Sequence, residues 1–307
     1  MNIHIGAYAA SASLDEADET ALYAGIAAMG VAGLEQPFFG TLHRRDEGWL
    51  ISQIRPEWSL VLTLLPGVMD FLKDDTHFGL ASADPDGRKR ALDYTESARR
   101  AVEKLHLALG RRAVRAVMLH SAPRLGDSGA KASLEGFVDS LTELRGREWQ
   151  GAALLVEHCD AAVPGRAPDK GFLRIEDEIM ALKLSRGKTS TGVAINWGRS
   201  ALETRLAEGP LEHLRLAARA ELLGGLFFSG VTPAHPEYGE WQDSHAPFST
   251  SCPESLLTPV AAKAARYEAP DCPLIGLKLQ TKPSTMTVPE RLVVIQDGLN
   301  WISDNKA

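Results

Sequence analysis

Short apolar runs recur along the whole 307-residue chain, each followed by a longer amphipathic stretch, and this alternation is what most restricts the fold. A strand followed by a helical stretch and then another strand is the βα unit of a parallel sheet. Eight such runs stand out: Ile3 to Tyr8, Gly33 to Gln36, Ser59 to Leu64, Val114 to His120, Ala152 to Glu157, Thr191 to Asn196, Gly225 to Ser229 and Leu274 to Leu279. Most are continuously apolar, as expected of strands covered on both faces. The clearest helix lies between the third and fourth runs. Asp84 suits its N-cap, Pro85 its first position and Gly110 its C-terminal stop, while Ala91, Tyr94, Ala98, Val102, Leu105 and Leu109 repeat at helical spacing. Further helices are expected over Glu176 to Leu184, Leu202 to Ala220, Pro253 to Tyr267 and Pro289 to Trp301.

No linker, low-complexity tract or change of composition divides this pattern, so residues 1–307 read as one domain. A doubly wound sheet usually stops at five or six strands, whereas eight βα units form a (β/α)8 TIM barrel of the α/β class. Hydrophobic residues at 44% and charged residues at 24% are those of a folded globular chain. Lys plus Arg number 33 against 40 Asp plus Glu, a net charge of −7 that argues against a nucleic-acid partner. No run approaches the roughly 18 apolar residues of a membrane helix, and the N-terminus lacks a cationic leader, so no membrane association and a cytoplasmic location are expected. Cys159, Cys252 and Cys272 are too few for a disulfide framework and read as free thiols.

Chemistry in such a barrel sits at the C-terminal ends of the strands. There the apolar runs end in Glu35, His120, Glu157, Asn196 and Ser229, with Lys278 in the eighth. Acids, a histidine and a lysine at such positions carry a desolvation cost unless they pair with each other or with a ligand, which marks them as a small-molecule site. An ammonium from Lys278 beside Glu157 would keep that carboxylate ionised, and a structural ion pair explains the two residues equally well. Phe38 and Phe39 after Glu35, Trp197 after Asn196, and Trp241 near His245 offer aromatic faces suited to sugar C–H groups. Arg166 and Arg199, placed in loops on the same side, are candidates for binding a carboxylate or phosphate.

The sequence resembles the xylose isomerase-like sugar isomerase and epimerase barrels, the superfamily that includes endonuclease IV. Four stretches carry the likeness: Gly33-Leu34-Glu35; Gly79-Leu80-Ala81-Ser82-Ala83-Asp84 with Arg88, Arg90, Ala91 and Leu109-Gly110; Val117-Met118-Leu119-His120-Ser121; and Leu154-Leu155-Val156-Glu157-His158 followed by Gly171-Phe172-Leu173 and Ile175-Glu176-Asp177-Glu178-Ile179. The resemblance implies a divalent cation held by a glutamate on the fifth strand, an aspartate on the sixth, a histidine on the seventh and a glutamate on the eighth. Only Glu157 is kept; Asn196, Ser229 and Lys278 stand at the other three places. Asp243 and His245 are candidate replacements, so a metal (Mn, Mg, Co or Zn) is left open with an incomplete ligand set. The zinc cluster and basic face of endonuclease IV have no counterpart here.

The resulting expectation is proton transfer beside a carbonyl of a small carbohydrate. Glu157, Lys278, Glu35 and His120 are the candidate catalytic residues, and Asn196, Trp197, Ser229, Phe38, Trp241 and His245 the candidate substrate contacts. A Schiff base on Lys278 is a variant of this scheme and requires a depressed lysine pKa. The competing expectation is a catalytically inactive barrel that binds a sugar or serves as an interaction protein, and either form is compatible with a homo-oligomer.

Overall fold

A computed structural model describes residues 2–126 and 129–303; the ends of the expected domain, Met1 and residues 304–307, lie outside the described residues. Eight parallel strands close into a barrel in the order β1-β2-β3-β4-β5-β6-β7-β8, β1 pairing with both β2 and β8. They are β1 Ile3–Ile5, β2 Gly33–Pro37, β3 Ser59–Thr63, β4 Val114–Leu119, β5 Ala153–His158, β6 Thr191–Asn196, β7 Leu223–Phe228 and β8 Leu274–Leu277. All eight expected strands are present. Among the described residues, no helix is long and apolar enough to cross a membrane.

The helix starts follow local chemistry. Asp84 accepts from the Gly87 amide at 2.6 Å at the head of α5 (Pro85–Leu109), and Gly110 ends it in the left-handed region at φ 63°. Three expectations shift. Tyr8 does not extend β1; it lies in α1 (Ala7–Ser11), a short helix from which its hydroxyl reaches Glu35. The helix expected over Leu202 to Ala220 is two helices, α8 (Trp197–Thr204) and α9 (Gly209–Arg219). Arg205 turns left-handed at φ 59° between them, and Pro210, which cannot donate a helical hydrogen bond, opens the second. The helix expected from Pro253 begins at Pro259, where Thr258 accepts from the Ala261 amide at 3.0 Å, and runs to Glu268 as α10. Of the remaining helices, α6 (Leu134–Gly146) and α7 (Ile175–Leu184) flank β5 in sequence, and α11 (Val288–Ile302) follows β8.

Side chains alternate along a strand, so one residue in two faces the barrel interior. A buried cluster of Val61, Ala116, Met118, Leu155, Ala194, Phe227 and Leu274 fills that interior, distinct from the larger core between sheet and helices. Two residues further toward the C-terminal end, on the same face, come Thr63, His120, Glu157, Asn196, Ser229 and, past Gly276, Lys278. The polar mouth therefore rests directly on an apolar plug. Phe227 is its largest member, and Gly276 makes room for it: a Cβ at position 276 would lie 2.1 Å from Phe227 Cδ1. Gly276→Ala is expected to destabilise the fold by about 1–3 kcal/mol through overpacking. In urea denaturation that cost should shrink markedly in the Phe227→Leu background; equal costs in both backgrounds would show that the two residues do not share the space.

Candidate active site at the barrel mouth

Glu157 is fully buried on β5, and protein groups engage both its carboxylate oxygens. His120 Nε2 lies 2.9 Å from Oε2; Oε1 is 2.7 Å from Arg199 Nη1, 3.2 Å from Asn196 Nδ2, which donates to it, and 3.5 Å from Lys278 Nζ. Burial opposes ionisation here, but Arg199 and Lys278, with help from His120, outweigh it and hold Glu157 well below the usual carboxylate range. His120 is pushed down by burial, partly offset by Glu157.

The second pair is Glu35 with Lys278. Lys278 directly follows β8, its amide donates to Phe228 O at 2.8 Å, and its stem passes Gly6, where a Cβ would come within 3.1 Å of it. Its ammonium donates to Glu35 Oε1 at 2.7 Å, and the Tyr8 hydroxyl donates to the same oxygen at 3.1 Å. Glu35 Oε2 is buried without a hydrogen-bond partner. Burial disfavours the ammonium, yet Glu157 and Glu35 reverse the balance and raise the Lys278 pKa. That direction is opposite to the one a Schiff base needs. Burial, reinforced by Glu35, likewise raises the Tyr8 phenol and keeps it a neutral donor.

Arg199 is central, although sequence reasoning placed it in a loop. Asn196 ends β6 and caps α8, accepting from the Arg199 amide at 3.4 Å, which puts Arg199 in the first helical turn. A cation at the positive end of a helix is unfavourable unless anions face it. Here Glu157 and Asp243 do, the latter at 3.0 Å from Nε. Lys170 Nζ reaches the same Asp243 oxygen at 3.2 Å, and His245 Nδ1 lies 3.1 Å from Asp243 Oδ1. Although burial opposes it, Arg199 together with His245 and Lys170 holds Asp243 well below the carboxylate range. Burial pushes His245 down against the pull of Asp243. Ser229 completes the set, donating to Asn196 Oδ1 at 2.8 Å.

The aromatic expectations fare differently. Phe38 and Trp197 are buried in the outer core, Phe38 against Tyr94 with ring centroids 5.6 Å apart, so neither presents a face to a ligand. Their neighbours at the strand ends face the interior, and the alternation turns these rings the other way. Trp241 packs under the Arg205 guanidinium, 4.4 Å from its ring centroid. Phe39 instead lines a cavity of about 410 Å³ beside the mouth, with Tyr8, Gln36, Pro37, His43 and Arg44. Tyr8 links this cavity to the buried Glu35–Lys278 pair. Arg166 points away and donates to the backbone carbonyls of Glu203 and Thr204 at 3.1 Å.

A divalent cation does not fit this mouth. Among the described residues, no three His, Cys, Asp or Glu ligand atoms converge there within 4.8 Å, Glu157 is surrounded by donors, and two buried cations stand beside it. Asp243 and His245 do not rebuild the site, because Asp243 already neutralises Arg199 and Lys170.

In fold the chain is similar to solved TIM barrels, among them sugar epimerases and isomerases. The chain superposes on a putative xylose isomerase from Rhodospirillum rubrum with TM-score 0.64 at 10% identity, covering 98% of each chain. An L-ribulose 3-epimerase gives 0.61 at 13% identity over 100% of both chains, and the E. coli 3-keto-D-glucoside 4-epimerase 0.57 at 12% over 98% of this chain and 99% of that one. At such identities the likeness is one of fold. In sequence, residues 4–294 match the family described as Domain of unknown function (DUF4862), and the chain belongs to that family. It is 34% identical over 304 residues to an uncharacterized protein of Salmonella typhimurium strain LT2, covering 97% of this chain and 96% of that one.

Removing one member of a buried charge cluster leaves its partners uncompensated. Arg199→Met is therefore expected to cost about 3–5 kcal/mol in urea unfolding. A cost under about 1 kcal/mol, the size of an exposed pair, would mean that Glu157 and Asp243 do not depend on it.

Proposed function

We propose that the protein is a sugar isomerase or epimerase-like enzyme that moves a proton beside the carbonyl of a small carbohydrate, with fixed protein cations in place of a divalent metal. The observation that carries this reading is the state of Glu35: one carboxylate oxygen is anchored by Lys278 and Tyr8, and the other is buried without a partner. A buried acceptor without a partner carries a desolvation cost, and a substrate C–H beside a carbonyl is a group it can act on.

In this scheme Glu35 Oε2 takes the proton from the carbon next to the carbonyl. Negative charge then develops on the carbonyl oxygen, and the Lys278 ammonium meets it without reorganisation because Glu157 and Glu35 keep that lysine charged and in place. Tyr8, neutral and hydrogen-bonded to Glu35, serves as the donor on the cavity side. Return of the proton to the former carbonyl carbon, with the hydroxyl proton of the neighbouring carbon passing to the carbonyl oxygen, gives isomerisation; delivery of a solvent-derived proton to the opposite face of the same carbon, Glu35 releasing its own proton to solvent afterwards, gives epimerisation. Glu157 acts as the anchor for Arg199, Lys278 and His120 rather than as the base, since its oxygens are already engaged.

That same engagement favours a second reading, a barrel that binds a sugar without turning it over. Incubation of the chelator-treated protein in D2O with a panel of aldoses and ketoses separates the two. An enzyme of the kind proposed incorporates deuterium beside the carbonyl of at least one sugar, with no requirement for added Mn²⁺, Mg²⁺, Co²⁺ or Zn²⁺, and Glu35→Gln slows this by about 10²–10⁴-fold. Saturable binding without exchange would establish the second reading. Exchange that appears only on adding a metal would overturn the role given to Lys278. Borohydride should trap no Lys278 adduct with any of these sugars, and a trapped adduct would replace the ammonium role by covalent chemistry.

A further inference from the structure

Behind the barrel wall, on the opposite face of β5 from Glu157, a second polar cluster is buried between sheet and helices. His158 projects outward because side chains alternate along the strand, and it meets Glu178 on α7, Glu203 on α8 and His213 on α9. His158 Nε2 lies 3.1 Å from Glu203 Oε2, and His213 Nε2 lies 3.7 Å from Glu203 Oε1. Ligand atoms of all three residues fall within 4.8 Å of one another. In a tetrahedral zinc site, bonds of about 2.0–2.1 Å separate neighbouring ligand atoms by roughly 3.3 Å; the two histidines meet opposite oxygens of Glu203 near that spacing, and an ion held by one oxygen needs the three groups only to draw in from within 4.8 Å.

The far nitrogen of each ring is also held. His158 Nδ1 lies 2.8 Å from Glu178 Oε2, and Glu178 in turn accepts from Ser121 Oγ at 2.5 Å. His213 Nδ1 lies 2.9 Å from Ser200 Oγ. Outer partners of this kind, a carboxylate above all, fix the tautomer and orientation of metal-binding histidines. The backbone amide of Ala161 donates to Glu203 Oε2 at 2.8 Å, which orients that carboxylate and leaves it lone pairs to spare. Two imidazoles and one carboxylate form a donor set that suits Zn²⁺ and leaves the fourth position to water on the side of Glu203, the most exposed of the three.

We propose that His158, His213 and Glu203 bind one Zn²⁺, a site that ties β5 to α8 and α9. It is separate from the mouth in both location and chemistry and does not depend on the reading of the mouth as an enzyme. Because β5 carries Glu157 and α8 carries Arg199, the ion braces the two elements whose side chains form the central charge contact.

The test is titration of the chelator-treated full-length protein with Zn²⁺ alone, in competition with a chromophoric chelator. One zinc per chain is expected. Affinity should fall by more than about a hundredfold in His213→Ala and stay unchanged in His245→Ala at the mouth and in His235→Ala beside Cys252. Zinc that His213→Ala still holds, or no stoichiometric binding, overturns the proposal. Should His213→Ala fail to fold, anomalous scattering from a zinc-soaked crystal of the unaltered protein decides. A peak between His158, His213 and Glu203 supports the site, and a peak at the mouth or at Cys252, or none, contradicts it.

Discussion

A carboxylate buried at the centre of the barrel mouth organises the rest of the site. Glu157 would be untenable alone in such surroundings, and it is stable because Arg199, Lys278, His120 and Asn196 converge on it from α8 and from the ends of β8, β4 and β6. Three of these partners have a second obligation: Lys278 to Glu35, Arg199 to Asp243, and Asn196 to the start of α8 and to Ser229. The charges therefore form one connected network in which no member moves freely. Such rigidity suits electrostatic catalysis, where the groups that meet developing charge must already be in place.

The same network explains why the mouth differs from what the resemblance implies. A divalent cation brings concentrated positive charge to a set of carboxylates. This chain brings two single charges on separate side chains and retains one carboxylate of the implied ligand set. Both arrangements place positive charge beside the fifth-strand glutamate, but the ammonium and guanidinium also donate directional hydrogen bonds and so restrict where an acceptor oxygen can sit. The tendency of buried lysines to lose their proton is cancelled here by the two neighbouring acids.

Much of this was legible in the sequence because the period of a strand is short and its burial is complete. The eight apolar runs fell on eight strands, and the polar residues ending them gathered at one mouth. What escaped depended on where the chain turns. Tyr8 continued an apolar run and read as strand, yet the chain bends into a helix after Gly6. Arg199 read as a loop residue because the cap that begins α8 is the last residue of β6, with no loop between. Phe38 and Trp197 follow Pro37 and Asn196 directly, and a shift of one residue at a strand end is the difference between the mouth and the outer core. Phe39, one residue further, lines the cavity. The cluster around His158 was invisible for a related reason: its members lie on β5, α7, α8 and α9 and come together only through packing.

The most direct test of the account is the ionisation state of Glu157 itself, followed by carboxyl ¹³C NMR during an acid titration of the folded protein. The Glu157 signal is expected to keep the shift of an ionised carboxylate well below the pH at which ordinary glutamates titrate, and to change only when the protein unfolds. A signal that titrates in the ordinary glutamate range, or that is already protonated at neutral pH, would show that Arg199 and Lys278 do not govern the mouth.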